Sequence, residues 1–153
     1  MKIQGRVCNA VCAVILLAMM VSVDGCTPQI TRQEPRSALF NTMWRAAEIN
    51  GTKVVFMPGQ KLDISLVLYQ GGHIRGSTGC NTFIGAYERN ADRLSFSALG
   101  RTAMTCSPEI LTRERGFLKA LREVARYSIS GRTLKLFNKD GRKVIEMIAV
   151  RVP

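Results

Sequence analysis

A single histidine, His73, in 153 residues leaves little material for imidazole chemistry. General-base catalysis near neutral pH draws mostly on His or on a carboxylate tuned by burial. Ser77 and Thr78 lie close to His73 in the chain, but no third group is identifiable to orient a nucleophile–base pair. None of the five cysteines forms a CxxC pair, which argues against thiol–disulfide exchange. Gly71-Gly72, Gly76 and Gly79 are not followed by the Lys-Ser/Thr of a phosphate-binding loop. No apolar run reaches the 18 or more residues of a free-standing transmembrane helix. Acidic residues are also scarce, 11 against 22 Lys and Arg. These shortages leave no catalytic residue, metal site or cofactor to nominate, and the expectation is a protein that is not an enzyme.

The amino-terminal 25 residues have the three parts of an export signal. Lys2 and Arg6 precede the apolar run Val7–Val21, broken only by Asn9, and Ser22-Val23-Asp24-Gly25 leads to Cys26. This end resembles a bacterial lipobox, whose cysteine is acylated after cleavage. Val23 and Gly25 suit their positions; Asp24 departs from the small neutral residue usual there. Several acyl chains on Cys26 would hold the protein durably, because each buried CH₂ contributes ~0.8 kcal/mol and a single chain binds only marginally. With Thr27 following, the resemblance implies the outer membrane, the domain facing the periplasm. An ordinary signal cut with Cys26 incidental is the alternative, and a retained anchor a third.

Removing 25 of the 153 residues leaves 128, the size of one domain. Taking away Lys2, Arg6 and Asp24 reduces the formal charge of +11 to +10. Such a surplus attracts polyanions without selecting among them. Nucleic acid is disfavoured, because the aromatics fall in core-like alternation and the compartment is wrong. The partners expected are a membrane reached through the amino-terminal lipid, and an envelope protein or anionic lipid. Cys8 and Cys12 leave with the leader and Cys26 is taken by lipid. Cys80 and Cys106 remain, an even pair that favours a disulfide in an oxidising compartment. Closing a loop of that length stabilises by roughly 3–4 kcal/mol on the chain-entropy model.

Residues 26–40 read as a tether, because Thr27–Arg36 carries Pro28, Pro35 and charges without an apolar period. The domain is expected over 41–153. Thr42–Ile49 is a strand, Asn50-Gly51 a turn, and Val54–Met57 a short apolar run stopped by Pro58-Gly59. Leu62, Ile64, Leu66 and Leu68 alternate as the core face of a strand, which Gly71-Gly72 turns back into His73–Gly76. Gly76–Asn81 is a glycine-punctuated loop needing positive φ at one or more points. Phe83–Tyr87 and Leu94–Leu99 form a further hairpin, and Thr102–Cys106 is extended.

One helix stands out. Ser107 caps it, Pro108 takes the first turn and Glu109 meets the positive end of the dipole. Ile110, Leu111, Phe117, Leu118, Leu121, Val124 and Ala125 form its apolar stripe, with Arg115, Lys119, Arg122 and Arg126 opposite as candidate anion contacts. Arg89, Arg93, Arg101, Arg132, Lys139, Arg142 and Lys143 add to the basic surface. Tyr127–Ile129, Thr133–Phe137 and Lys143–Val150 complete seven to nine strands, with Asn138–Gly141 a hairpin turn and not a calcium loop. The fold class is mainly β with one packed helix, a strongly curved antiparallel sheet or incomplete β-barrel.

The recurring pieces now form a pattern: Thr42-Met43-Trp44 with Glu48–Gly51, Gly76–Phe83 with Gly85 and Tyr87, Leu94–Phe96 with Thr102–Cys106, Glu114, Phe117 and Leu121, and Leu134–Leu136 with Asp140-Gly141. They resemble the META domain of the heat-shock protein HslJ, from about Thr42 to Val150. Thr105 stands where Ala is frequent. The resemblance implies a compact antiparallel β domain with a helix, in members often exported or lipid-anchored. Some are linked to heat shock, novobiocin tolerance, motility or secretion, and no catalytic residues are established. Gly76, Gly79, Cys80 and Asn81 are its loop residues, read here as a pinned turn with Asn81 bonding local backbone. The expected function is a non-catalytic lipoprotein in envelope stress or novobiocin-type tolerance. The alternative is a pilotin-like lipoprotein assisting secretin assembly, which calls for an apolar groove between helix and sheet.

Overall fold

Period-two alternation of apolar residues makes strands that must bury one face, and here the buried faces point into the interior of a ring. The computed structural model describes residues 38–150. In chain order these form β1 (Trp44–Ile49), β2 (Thr52–Lys53), β3 (Ile64–Tyr69), β4 (His73–Thr78), β5 (Thr82–Asn90), β6 (Arg93–Arg101), α1 (Pro108–Arg122), β7 (Val124–Ser130), β8 (Thr133–Asn138) and β9 (Lys143–Ala149). The expected leader, Cys26 and most of the expected tether lie outside the described residues.

Strands β1, β3 to β9 and back to β1 make a closed antiparallel barrel, with β2 a two-residue stub on the edge of β1 that β3 leaves free. Closure comes from β1 pairing with β9 along its length, Trp44 opposite Ala149 and Ile49 opposite Ile145. It removes the edge that a curved open sheet would expose. The join between β6 and β7 is thin, a single register pair, Arg93 with Arg126. The helix, which connects those two strands, packs against β6, β9, β4 and β1.

The interior holds Trp44, Ile64, Leu66, Leu68, Leu134, Leu136, Ile145 and Met147 from the strands and Phe117 and Leu121 from the helix, all buried. Each large apolar side chain so placed contributes about 1.5–3 kcal/mol. Trp44 is buried without a polar penalty, because its indole N–H donates to the Leu39 carbonyl at 3.1 Å. Packing therefore includes Leu39, itself buried. Asn50-Gly51 forms the anticipated two-residue turn, with φ of 48° and 79°, between Ile49 and Thr52.

Three expectations shift. Leu62 is half exposed at 50% and β3 begins at Ile64, so the alternation is one residue pair shorter than its pattern. Strand β4 continues through Thr78, which reduces the glycine loop to Gly79-Cys80-Asn81, with Gly79 at φ 94°. The helix stops at Arg122, where the Glu123 N–H closes the last turn onto Lys119 and Ala120. Val124 and Ala125 belong to β7, because Leu121 to Val124 is a spacing that a helix stripe and a following strand both satisfy. The start of the helix is as expected: Ser107 Oγ accepts from Ile110 N, and the Glu109 carboxyl is held below the usual range by its own backbone N–H and the Ser107 hydroxyl.

Gly76 is required for close packing and not for its backbone angle. A Cβ there would lie 2.2 Å from the Ser65 carbonyl oxygen and 2.5 Å from the Phe83 ring. Gly116, in the middle of the helix, has open space around the same position. Gly76→Ala should therefore cost about 3 kcal/mol or more, since neither backbone nor a core ring can give way. Gly116→Ala should stabilise by about 0.5–1 kcal/mol through helix propensity alone. Urea unfolding of the two variants checks both signs.

Candidate functional site

The best-marked loop in the chain turns its polar groups inward. Asn81 and Glu114 are buried at 0% and 1% exposure, and the second comes from the middle of the helix. Asn81 Nδ2 donates to Glu114 Oε2 at 2.8 Å, while Asn81 Oδ1 accepts from Thr102 Oγ1 at 2.8 Å and from Met104 N at 2.7 Å. The same residue ties its backbone to Thr78, whose N–H donates to the Asn81 carbonyl at 2.8 Å and whose hydroxyl oxygen accepts from Asn81 N at 3.0 Å.

Thr78 has one hydroxyl proton and two acceptors within reach, the Asn81 carbonyl and Glu114 Oε2. The charged acceptor wins, because a hydrogen bond to a carboxylate is roughly twice as strong as one to a neutral oxygen. Arg101, the last residue of β6, brings its Nε to 3.0 Å from Glu114 Oε1. That contact is an ion pair without hydrogen-bond alignment, so Oε1 accepts no aligned bond among the described residues. The carboxylate thus joins three pieces of backbone: the end of β4 with its loop, the end of β6, and the helix.

A covalent link runs beside this cluster. Cys80 and Cys106 are bonded, with 6.2 Å between their Cα atoms, so the loop and the segment leading into the helix are tied twice. Phe83, whose ring takes the space that Gly76 leaves open, packs edge to face on Phe117 at 5.9 Å. Asn81 does bond local backbone as its residue type suggested; its reach to a helix side chain 33 residues away was not readable from the loop. Glu114 stood in the sequence only as one residue of a resemblance.

His73 begins β4 and Ser77 and Thr78 end it, so the strand holds them apart. The imidazole stacks on Tyr69 at 5.0 Å, Ser77 Oγ accepts from Gly79 N at 3.0 Å, and Thr78 is committed to Glu114. Among the described residues no three His, Cys, Asp or Glu side chains gather as a metal site. The Asn138–Gly141 segment is a turn closed by Asn138 Oδ1, which accepts from Asp140 N at 3.1 Å and Arg142 N at 2.9 Å.

The basic residues divide into committed and open. Arg115, Lys119 and Arg122 lie on one exposed helix face, with Arg115 also bonding Thr112 at 2.9 Å. Arg126 does not join them: it sits on β7 and grips Asp92 through Nε at 3.0 Å and Nη2 at 2.7 Å. Arg101 is taken by Glu114, Lys143 by Glu146 and Glu48, and Arg132 donates to the Ala149 carbonyl. Arg89 lies over the Phe40 ring at 5.5 Å and donates to the Tyr127 hydroxyl at 3.1 Å. Of the four candidate anion contacts read on the helix face, Arg115, Lys119 and Arg122 therefore stay together.

Two open grooves mark the outside. One of about 650 Å³ runs over the outer face of β3 to β6, past Tyr69, His73, Arg75, Ile84 and Ala98. The other, about 620 Å³, lies between Ala38–Phe40, the β5–β6 turn and Tyr127–Ile129.

Comparison with known proteins agrees with this architecture. A family model described as the META domain matches residues 37–149. A protein from Burkholderia xenovorans with an NMR structure is similar at 26% identity and a TM-score of 0.60, over 74% of this chain and 85% of that one. A DUF4847 family protein from Bacteroides vulgatus, solved by crystallography, shares the fold at 12% identity and a TM-score of 0.54, over 73% and 94% of the two chains. No curated protein matches.

The Asp92–Arg126 pair makes a pH-dependent prediction. Hydrogen bonding from Arg126, and then its charge, hold the Asp92 carboxyl below the usual carboxylate range. A depressed folded value means that the pair's contribution is present above the ordinary carboxylate pKa and is lost as pH falls through the lowered one. Arg126→Ala should return the Asp92 titration, followed by NMR, toward the ordinary value. An unmoved titration would contradict the pairing.

Proposed function

The chain belongs to the META domain family, and from that membership we propose that it works as a non-catalytic, lipid-anchored protein of the bacterial envelope. Its task is to support the envelope under stress, including novobiocin-type antibiotic challenge. The observation that carries the non-catalytic reading is the inward commitment of the loop: Thr78, Asn81 and Glu114 spend their polar atoms on one another and on backbone, which is how a structural network is built and not how a substrate is received. The anchored reading rests on the leader, on Cys26 after Gly25, and on the disulfide between Cys80 and Cys106, which suits an oxidising compartment.

In this reading the barrel is a rigid body and the working surface is its exterior. Arg115, Lys119 and Arg122 offer cations to anionic lipid or an acidic partner. The pilotin alternative calls for a groove between helix and sheet, and that seam is filled by Phe117, Leu118 and Leu121.

Mass spectrometry of the mature protein from the membrane fraction tests the anchor. The expected terminus is a diacylglyceryl, N-acylated Cys26; an intact leader or an unmodified residue would overturn it. Deleting the gene should raise novobiocin sensitivity while leaving secretin assembly intact. Unchanged sensitivity would remove the tolerance role, and failed secretin assembly would favour the pilotin.

A further inference from the structure

Large apolar side chains are held out of the core on one loop. Between β2 and β3, Val55 is 62% exposed, Phe56 60% and Leu62 50%. The loop that carries them is well fastened. Gln60 is buried within it, accepts from Met57 N at 3.2 Å and donates to the Leu62 carbonyl at 2.6 Å. Lys61 N and Leu62 N both donate to the Gly79 carbonyl, and Arg113 of the helix donates to the Val55 carbonyl at 2.5 Å. Met104, 43% exposed, adjoins the same turn, since its carbonyl lies 3.6 Å from Cys80 Sγ. Backbone fastening thus fixes an apolar surface in water, an arrangement that commonly marks a contact.

The charge around it is mainly positive. Lys53 and Lys61 are exposed on the loop's two arms, Arg113 braces it, and Arg115 and Lys119 follow on the helix. The acids nearby are Glu48, opposite Lys53 in the β1–β2 register and paired with Lys143 at 3.0 Å, Asp63, drawn to Arg45 at 3.8 Å, and Glu109 in the first helical turn. A few apolar side chains ringed by cations suit an anionic bilayer, where apolar groups enter the headgroup boundary and lysines meet phosphates. A stable protein interface buries more than about 1,000 Å², which three or four side chains do not supply.

We propose that the β2–β3 loop is a bilayer-docking surface, with Val55, Phe56 and Leu62 entering an anionic leaflet and Lys53 and Lys61 engaging its phosphates. This deepens the envelope reading and rests on it for the source of the membrane. The loop follows the end of β1, whereas Ala38–Phe40 enter at the start of that strand. The 12 residues from Cys26 to Ala38 reach up to about 43 Å when extended, against about 20–30 Å for strands of this length, so an anchored terminus leaves the loop free to reach the bilayer.

The test places a tryptophan reporter in the loop of the full processed chain, purified and reconstituted into vesicles containing brominated lipid. Phe56→Trp should be quenched at least roughly twofold more in phosphatidylglycerol-rich vesicles than in phosphatidylcholine, given the surface charge of the former. Lys53→Glu with Lys61→Glu should abolish that difference, and Met43→Trp, at the opposite end of β1, should show no such difference. Equal quenching in both lipids, or none, overturns the proposal; so does crosslinking of a photoreactive residue at position 56 in cells to protein and not to lipid. A chain retained by both vesicle types but unquenched at position 56 keeps the anchor and removes the docking surface. A chain that floats only with anionic vesicles and is quenched there keeps the surface and removes the anchor.

Discussion

One buried carboxylate organises the structure. Glu114 is closed off from bulk solvent at 1% exposure, and an unpaired charge in such a place costs several kcal/mol. Its compensation comes from the hydroxyl of Thr78 and the amide of Asn81, both at the end of β4 and its loop, and from the guanidinium of Arg101 at the end of β6. The helix can dock in only one register that satisfies all three. Apolar packing alone would tolerate several, because Phe117, Leu118 and Leu121 are non-directional contacts.

That constraint matters because the helix is the connection between the two strands that pair least. Strands β6 and β7 share one register pair, supplemented by the Tyr127 N–H donating to the Asp92 carbonyl at 3.0 Å and by the Arg126–Asp92 ion pair, while the helix packs on β6, β9, β4 and β1. The disulfide and the Asn81 contacts to Thr102 and Met104 fasten the segment that delivers the chain from β6 into the helix. Gly76 belongs to the same arrangement, since only a missing side chain lets Phe83 lie under Phe117.

What could be read from the chain followed how local its cause was. Ile64, Leu66 and Leu68 announce a strand by alternation, and Ser107-Pro108-Glu109 announces a helix start, because both signals are complete within a few residues. Cysteine bookkeeping reached the Cys80–Cys106 pair through the compartment that the leader implies. The helix end was misplaced because no Gly or Pro follows Arg122 and Val124 fits either period. Glu114 could not be assigned its partners, which lie 33 and 36 residues upstream. For the same reason Arg101 and Arg126 looked free when their acids were brought in by folding, and the short apolar run Val54–Met57 carries no local sign that Val55 and Phe56 face water.

In the proposed reading, this family member works through a surface carried by a fixed frame. The frame consumes the polar residues that a motif search finds first, and leaves cations and a few apolar side chains outside. The claim that the loop, β6 and the helix act as one unit is tested most directly by a double-mutant cycle of Asn81→Ala and Glu114→Ala, read by urea unfolding with the disulfide intact. The account requires a coupling of about 2 kcal/mol, within the range for residues sharing one network. Additive losses, with no coupling beyond error, would contradict it.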